Sequence, residues 1–360
     1  MVTSSPCRAR STPAPTRSSA TSSPSGCSAF RGGDDMKFSF TDEQDMFRDT
    51  VRELFADRCP PDAVRQSWDN DDGRVPGLWA ALAEMGVLAV LAPEAAGGLG
   101  MNEVDLVRIL EEAGYAGVPE PLIEHVAVAI PALAEAGHAA LEAAIAGDST
   151  ITLNLSGEVI VGAAADAVVH RTGDTLQLVT EWHADEATSI DQSRRLGVLT
   201  DITAADPLDG ADPELAFDRA ALGTAAQCIG VARRLLEATV EYVAERHQFG
   251  KPVGSYQAVK HHLANVKIAL DFAAPLVYRA AWSVAHVDDP VARGRDVSMA
   301  KAQASEAVDL AARQALQCHG AIGYTFEYDL QLWLKRAWTL AAAHGDVRFH
   351  RDRVAAAIGV

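Results

Sequence analysis

The chain has 360 residues, enough for two or three packed subdomains with a sizeable core. Its 31 basic and 49 acidic residues give a formal net charge of −18, which argues against nucleic acid as a partner because phosphate backbones need clustered Lys and Arg. Charges and glycines interrupt the apolar runs before they reach the ~20 residues of a membrane helix, so no membrane span is predicted.

Residues 1–35 form a tail rich in Ser, Thr, Pro and Arg, with almost no large apolar side chains. Such a composition cannot bury enough surface to offset the entropy of ordering, and the segment lacks the apolar region of a secretory signal. We therefore expect residues 1–35 to be disordered. We expect Met36, where the composition changes sharply, to be the functional start.

Helical signals fill residues 36–148. Thr41 and Gln44 have the spacing of a capping box, and the apolar side chains that follow fall on one helical face. Further stretches with helical periodicity follow at 77–86, 102–114 and 119–145. The Gly-rich segment 92–100 lacks the GxGxxG pattern of a dinucleotide-binding turn, so an N-terminal all-helical domain is predicted.

Residues 149–214 change to short β-branched runs separated by turn residues such as Gly173-Asp174. The runs ITLNLSGEVIVG, DAVVHRT and LQLVTEW predict strands, and we expect these strands to pair antiparallel. About sixty residues suffice only for a small sheet, so this segment is predicted to be a reduced β middle domain.

Helical periodicity returns at residues 215–360 in four long stretches, of which the last covers 327–343. The first stretch carries an apolar stripe made of Leu222, Ala226, Ile229, Leu236, Val240 and Val243. The short QFGKPVGS turn between the first two stretches favours antiparallel packing. The whole chain is thus predicted to be mainly α, with a small β middle domain and a C-terminal four-helix bundle.

Cysteine and histidine spacings predict no metal site. Five cysteines lie far apart without a CxxC spacing: Cys7, Cys27, Cys59, Cys228 and Cys318. This pattern argues against a zinc site or a disulfide framework and is typical of a reducing cytoplasm, where we expect the protein. Cys228 and Cys318 fall in helical patterns and are predicted to be buried. His261 and His262 are adjacent on a helix and point about 100° apart, so they cannot both face one ion.

Two segments of the bundle combine residue types that bind ligands. In YVAERHQFGKPVGSYQAVKHHLANV (242–266), Arg246 stands at a helix end, where the helix dipole also favours a positive charge. In ALQCHGAIGYTFEYDLQLWLKRA (315–337), Gly320 fits a helix C-cap. By spacing alone, a helix-end arginine and glycine turns would explain both segments without a ligand.

Together, the two segments resemble the signatures of one family. ERHQFGKPVGSYQAVKH is similar to the ERxxFGxxIxxFQ signature of acyl-CoA dehydrogenases, and QCHGAIGYTFEYDL resembles their QxxGGxGY motif. The resemblance runs from Met36 to the C-terminus and is weakest in the middle region. It implies the acyl-CoA dehydrogenase fold, FAD as cofactor, and α,β-dehydrogenation of an acyl-CoA thioester.

The first signature implies three residues that contact FAD. Arg246 matches the family arginine that reaches the flavin pyrophosphate, typically that of a neighbouring subunit. A guanidinium group suits this role because its fork of donors matches a diphosphate. Gln248 and Phe249 match adjacent positions that contact the flavin.

The second signature implies the adenosine side of the FAD site. Gln317 matches the family glutamine that binds this part of FAD, and His319 and Gly320 lie in the close-approach turn behind it. Ala321 replaces the second glycine of that turn, where its methyl group could crowd the cofactor.

The family's catalytic carboxylate, which must reach the substrate α-carbon in a dry pocket, has no direct counterpart. In most members it is the Glu of a YEGT-like segment after the last bundle helix. A count from Lys335-Arg336 puts Gly345 at that position, and Asp346 follows. Some branches place the Glu early in the first bundle helix, where this chain has Ala220. Asp346 is therefore the candidate base, with a turn residue or helix cap as the alternative. Asp218 lies two residues before Ala220 and could be a displaced carboxylate or, equally, a helix-start residue.

The middle region departs further from the family. GEVIVGAAADAVV (157–169) resembles only the frame of the WxTN-like strand, and the TEPxAGSD-like loop before it is absent. Val161-Gly162-Ala163 stands where polar contacts to the flavin ring are expected. Because these contacts to the flavin ring are missing, the resemblance implies that the chain depends on another polypeptide to bind the flavin.

Three assemblies remain open. In the first, the chain pairs with a homologous subunit in a heterotetramer that resembles actinobacterial complexes acting on bulky CoA thioesters, including steroid-derived ones, and the partner supplies the base. In the second, a homo-oligomer uses Asp346. In the third, the chain is a non-catalytic assembly subunit. For either enzyme, the resemblance implies an electron acceptor such as electron-transfer flavoprotein.

Overall fold

The computed structural model describes residues 39–155, 159–162 and 164–360. Contacts group Thr41–Val360 into one compact unit, whereas Met1–Phe40 lies almost wholly outside the described ranges. The tail at 1–35 and the start at Met36 are outside the described residues, so both expectations stay predictions.

The N-terminal part is helical, as predicted. Its α-helices are α1 (Asp42–Arg58), α2 (Pro61–Ser67), α3 (Leu78–Glu84), α4 (Glu103–Ala116), α5 (Ile130–Ala136) and α6 (Leu141–Ala146). The capping box is present, because Thr41 Oγ1 accepts from the Gln44 N–H at 3.2 Å and Gln44 Oε1 accepts from the Thr41 N–H at 3.0 Å.

The stretch 119–145 is not one helix. It divides into a fully buried π-helix (Ile123–Ala129), α5 and α6. The π-helix leads into α5 through residues in the right-handed helical conformation, with Pro131 in the first turn of α5, and Gly137 ends α5 in the left-handed conformation.

Five strands form the middle sheet: β1 (Ile151–Asn154), β2 (Val159–Val161), β3 (Ala167–Thr172), β4 (Thr175–Ala187) and β5 (Leu196–Pro207). Their order is β1-β3-β4-β5-β2. The expectation of purely antiparallel pairing is wrong, since β1 and β3 are parallel. From β1 the chain crosses to β2 at the opposite edge of the sheet, where β2 runs antiparallel to β5. It then returns to β3 beside β1, and β3 points in the same direction as β1. Strand β5 was not predicted.

The C-terminal part contains α7 (Pro213–Glu245), α8 (Gln257–His286), α9 (Pro290–His319), α10 (Leu330–Ala342) and α11 (Val347–Ile358). A two-stranded hairpin, β6 (His247–Gln248) and β7 (Lys251–Pro252), joins α7 to α8. Helix α11, which packs on α9, was not predicted as a helix. Val240 of the first stripe is exposed rather than buried, and Cys318 is only half-buried.

Helix α4 crosses α7 at van der Waals contact of the two backbones. A Cβ on Gly230 would overlap the carbonyl oxygen of Glu111, and a Cβ on Gly114 would overlap that of Gln227. Gly114 of α4 therefore faces α7, and Gly230 of α7 faces α4. The absence of a side chain at both positions sets the distance between the N-terminal helices and the bundle.

The predicted fold class, mainly α with a small β-sheet between two helical parts, is confirmed. The division into domains at 36–148, 149–214 and 215–360 stays a prediction, because Thr41–Val360 forms one unit. Across the described ranges, every helix is too short or too polar to cross a membrane.

Candidate functional site

The two signature segments meet at one end of the bundle. Helix α8 links α7 to α9 along the chain and runs in the opposite direction to both. Because α7 and α9 pack directly on each other, their C-terminal ends lie side by side. The ring of Tyr242 stacks on that of His319 with centroids 4.2 Å apart and planes 18° apart. The Tyr242 hydroxyl also lies 3.5 Å from the His319 carbonyl oxygen, so one aromatic contact joins the segments.

Arg246 caps the C-terminus of α7 and leads directly into the β6–β7 hairpin. Phe249 and Gly250 form the turn with φ of 51° and 82°, as a two-residue hairpin requires. This strained turn leaves the Phe249 side chain 93% exposed. The side chains of Arg246 and Gln248 are exposed too, and neither makes a hydrogen bond or ion pair with the described residues. The guanidinium group is therefore available to a ligand.

The end of α9 provides a complementary surface. Gln317 is exposed, whereas His319 is buried and its Nδ1–H donates to the Ala315 carbonyl at 2.8 Å. The other ring nitrogen, Nε2, is buried and has no partner in the described part of the chain. Burial lowers the pKa of His319, so the ring is neutral and Nε2 is an acceptor. A Cβ on Gly320, which has a φ of 62°, would meet no atom within 4 Å.

These features fit the groups expected of the cofactor. Arg246 offers a guanidinium group to a diphosphate, His319 offers an unused acceptor to a hydroxyl or amine, and Gly320 leaves open space beside them. The structure therefore brings together the predicted residues of both signatures, though their roles stay predictions.

Asp346 lies away from this end. Lys301 donates to the Gly345 carbonyl at 3.1 Å, and about 18 residues of α9, or about 27 Å, separate Lys301 from His319. Asp346 is exposed and caps α11, because its Oδ1 accepts from the Phe349 N–H at 2.8 Å.

The surroundings of Asp346 are those of a surface groove. The groove has a volume of about 610 Å³ and is rich in acidic side chains, namely Glu306, Asp309, Asp346 and Asp352. It is not the dry pocket that a general base of this reaction needs. Capping is the observed role of Asp346, and its role as a base stays a prediction.

Asp218 is not a helix-start residue, so that interpretation is wrong. Helix α7 begins at Pro213 with Asp212 as its N-cap. Asp218 is 1% exposed, and its two oxygens accept from Arg293 at 3.1 Å and Arg353 at 2.9 Å. Burial raises the pKa of Asp218, and the two arginines oppose that rise. The carboxylate is fully used in holding α7 to α9 and α11.

The connection between β4 and β5 forms a buried ionic junction that the sequence analysis missed. Asp191 pairs with Arg336 of α10, and Arg194 pairs with Glu124 of the π-helix at 3.1 Å. All four side chains are at most 8% exposed. The only signal was the charged run DQSRR between two strands, a pattern that usually indicates a solvated loop.

This junction fills the space beside Gly162, which belongs to the segment expected to contact a flavin ring. The cavity there has a volume of about 20 Å³, enough for about one water molecule. Four arginines line it together with three carboxyl groups: Arg74, Arg194, Arg195, Arg336, Asp72, Glu120 and Glu124. Burial raises the pKa of Glu120 to about 7.

Metal ligands do not converge in the described ranges, where no group of three His, Cys, Asp or Glu side chains could hold an ion.

Comparison with known proteins agrees with this architecture. Residues 41–146 match the family described as acyl-CoA dehydrogenase, N-terminal domain, and residues 213–359 match acyl-CoA dehydrogenase, C-terminal domain. The chain is 35% identical over 322 residues to acyl-CoA dehydrogenase IpdE2 of Mycolicibacterium smegmatis, covering 88% of this chain and 99% of that protein. It is 36% identical over 300 residues to IpdE2 of Mycobacterium tuberculosis, covering 82% and 91%.

Solved structures share the fold. The ChsE4–ChsE5 complex from Mycobacterium tuberculosis contains a chain that superposes with a TM-score of 0.82 at 24% identity, covering 90% of this chain and 99% of that one. A variant of the Tcur3481–Tcur3483 steroid ACAD gives a TM-score of 0.78 at 24% identity, covering 88% and 98%. From the matches to both family domains and the full-length likeness to IpdE2, the chain belongs to the acyl-CoA dehydrogenase family of oxidoreductases.

Proposed function

We propose that the chain is one subunit of an FAD-dependent acyl-CoA dehydrogenase and works with a homologous partner subunit. The reaction is the α,β-dehydrogenation of an acyl-CoA thioester. A base removes a proton from the α-carbon while a hydride leaves the β-carbon, so a carbon–carbon double bond forms. Bound FAD supplies the hydride acceptor, and an acceptor such as electron-transfer flavoprotein then takes the two electrons.

The observation that carries this proposal is the open bundle end where Tyr242 stacks on His319. Arg246, with no partner among the described residues, would hold the pyrophosphate of FAD. His319 Nε2, a buried acceptor without a partner in the same ranges, would accept a hydrogen bond from the adenosine side, where Gln317 and Gly320 also lie.

The hairpin residues Gln248 and Phe249 would contact the flavin from the same side. Their exposure supports a shared site, because a 93% exposed phenylalanine at a strained turn is otherwise costly in water. The flavin ring itself would lie in the partner, since the corresponding space beside Gly162 in this chain is filled by ion pairs.

A base from the partner is supported by the state of this chain's carboxylates. Asp218 is held by two arginines, and Asp346 caps a helix at the surface. Gly345 has a φ of 95° and precedes Asp346, the N-cap of α11. These two residues correspond in order to the Gly and Thr of the YEGT-like segment. In this register His344, one residue before the position counted from the sequence, replaces the family glutamate.

A bulky, steroid-derived acyl group is the substrate class we propose. One structural neighbour, the Tcur3481–Tcur3483 protein, is a steroid ACAD, which supports this substrate class. We place the reaction in the cytoplasm, in keeping with the well-separated cysteines.

Co-expression with a homologous subunit encoded nearby tests the proposal. The pair should reduce an artificial electron acceptor when given acyl-CoA, and each chain alone should not. If this chain alone binds one FAD per protomer and turns over, the dependence on a partner is wrong.

A further inference from the structure

Strand β5 has an outer edge that is mostly unpaired. It pairs with β4 from Leu196 to Pro207, whereas β2 lies beside only Leu196 to Val198. Past Val198, no other strand among the described residues lies along this edge, and no other described helix or strand packs closely against β5. We call residues 199–206 the open edge. It is about 27 Å long, and about every second residue points its N–H and carbonyl away from β4.

The open edge lies at the surface. Most of its residues are exposed, and no backbone group of residues 199–206 bonds to a loop in the described ranges. Ile202 of this segment packs against the buried pair Val168 and Val179, which holds the strand in place on the sheet. An exposed and unpaired strand that is held in this way is a template to which another strand can add.

The carboxylates beside the open edge are not balanced by basic residues. They lie on both strands of the hairpin and are exposed, namely Glu181, Asp185, Glu186, Asp201 and Asp206. Between positions 175 and 207 the only Lys or Arg residues are Arg194 and Arg195, which lie in the connection between the strands. Arg194 is paired with Glu124, and Arg195 donates to two backbone carbonyls, so neither neutralises the edge.

The rest of the described chain does not neutralise these carboxylates either. His183 lies 3.4 Å from Asp185, and His138 lies 3.8 Å from Asp206, but no described Lys or Arg pairs with any of the five. Asp201 lies opposite His183 in the strand pair. A second copy of the same edge would bring acidic side chains together, and like charges on neighbouring strands destabilise their pairing. The edge therefore favours a basic strand over another copy of itself.

We propose that the open edge is a docking site for a partner protein that adds an extended, basic segment as a strand beside β5. Backbone hydrogen bonds along residues 199–206 provide the attachment. Lys or Arg side chains at alternate positions of the added strand pair with Asp201 and the neighbouring carboxylates, which selects the partner. Neither FAD nor the bundle end takes part, so this interaction goes beyond the proposed dehydrogenase.

Three synthetic peptides of equal length test the proposal with the full chain. The first, TKVKVKVT, carries lysines at alternate positions, and the second, TEVEVEVT, carries glutamates instead. The third repeats the lysine sequence with N-methyl groups on its two central residues. These methyl groups remove one N–H from each edge of the peptide strand, so they hinder pairing along either edge and keep the charge. Isothermal titration calorimetry measures the three dissociation constants.

The lysine peptide should bind about tenfold more tightly than either of the others, because they lack the charge or the backbone donors. Asp201→Lys should weaken binding of the lysine peptide by about tenfold, since an attraction becomes a repulsion. Asp288→Lys makes the same change of charge at an exposed residue between α8 and α9, and should have no effect. No binding of the lysine peptide, equal binding of all three, or equal affinity in Asp201→Lys and wild type would overturn the proposal.

Amide hydrogen exchange of the wild-type chain locates the bound peptide without a variant. Exchange of the outward N–H groups of residues 199–206 should slow when TKVKVKVT is added and stay fast with the N-methylated peptide. Slowing only at other residues would contradict the site. Slow exchange of these groups in the chain alone would also contradict it, because a second copy or residues 1–38 would then cover the edge. Flavin absorbance reports separately on the proposed dehydrogenase, so failure of either idea leaves the other intact.

Discussion

Tyr242 and His319 lie 77 positions apart in the chain, yet their rings stack at 4.2 Å. Arg246 follows Tyr242 by about one helical turn, and Gly320 follows His319 directly. The contact therefore fixes the relative position of two segments, each of which resembles a separate FAD-binding signature of the family. It also buries one face of His319 and leaves Nε2 without a partner in the described residues.

Arg246→Ala should weaken FAD binding by the complex about ten- to a hundredfold, because a charge-assisted hydrogen bond to a phosphate is lost. The measurement is the FAD dissociation constant of the purified pair, obtained from flavin fluorescence. Arg246→Lys should recover part of the affinity, since it keeps the charge but not the paired donors.

Arg52→Ala is the matched control for this experiment. Arg52 lies on α1 with a side chain 51% exposed and has only a surface ion pair with Asp49. FAD affinity should not change in this variant. Equal FAD affinity in Arg246→Ala and wild type would mean that the arginine only ends its helix.

Asp346 allows its two candidate roles to be separated. Asp346→Asn keeps a good N-cap for α11 and removes the charge, so stability should hold and substrate should still bleach the flavin if the partner supplies the base. Asp346→Ala removes the cap and should lower the free energy of unfolding by about 1 kcal/mol. Stopped-flow absorbance measures the bleaching, and a bleaching rate near zero in Asp346→Asn would identify Asp346 as the base.

The crossing of α4 and α7 predicts a large effect from one methyl group. In Gly230→Ala, the added Cβ overlaps the Glu111 carbonyl oxygen, so the helices must separate, and we expect a loss of about 1–3 kcal/mol or more. Gly223→Ala, in the same helix, is the control, because its Cβ would meet only side-chain atoms of Leu110 and Ile123, at 3.1 Å or more. Urea unfolding of both variants measures the difference, and equal midpoints would refute the close crossing.

His125 links the N-terminal helices to the sheet and should make stability depend on pH. Its Nε2 lies 3.0 Å from the Ala144 carbonyl, and its Nδ1 accepts from the Ile151 N–H at 3.1 Å, an arrangement that only the neutral ring can make. Burial lowers the pKa of His125 to about 4; Arg74 adds to that effect and Asp166 opposes it.

The direction of the pH effect follows from linkage. The unfolded chain, with a histidine pKa near 6.5, binds more protons than the folded chain between about pH 4 and pH 6.5. Stability is therefore lost as the pH falls through that range. Burial also lowers the pKa of His344 and His350, to about 3 and 4, which adds to the loss. Glu120 acts in the opposite sense, because its folded pKa of about 7 is above the unfolded value.

The measurement is the midpoint of thermal unfolding at pH 7.5 and pH 5. The midpoint should fall in the wild type, and His125→Gln should show a smaller fall, since the side chain at position 125 no longer titrates. A pH dependence that is unchanged in His125→Gln would contradict the neutral, buried ring.

Local signals in the sequence predicted most of the helices correctly. The capping box at Thr41 and the apolar stripes gave the right elements because helix period and capping are local properties. Strand β5 and the parallel pairing of β1 and β3 were missed, since strand order depends on contacts between distant segments. Gly137, which ends α5 in the left-handed conformation, was the available signal that 119–145 could not be one helix.

The site was predictable only in part. Arg246 and Gln317 follow from short motifs, whereas the ionic junction of Asp191, Arg194 and Arg336 depends on which loop enters the core. The proposed shift of the family register to His344 rests on the φ of Gly345 and the cap at Asp346, which are properties of the backbone.

The central claim is that the bundle end of this chain completes an FAD site with a partner subunit. The visible absorbance spectrum of the purified chain, alone and co-purified with the homologous subunit, tests this claim most directly. We expect a colourless chain alone and a yellow pair that carries roughly one FAD per pair. A colourless pair, or a chain that is fully loaded with FAD on its own, would contradict it.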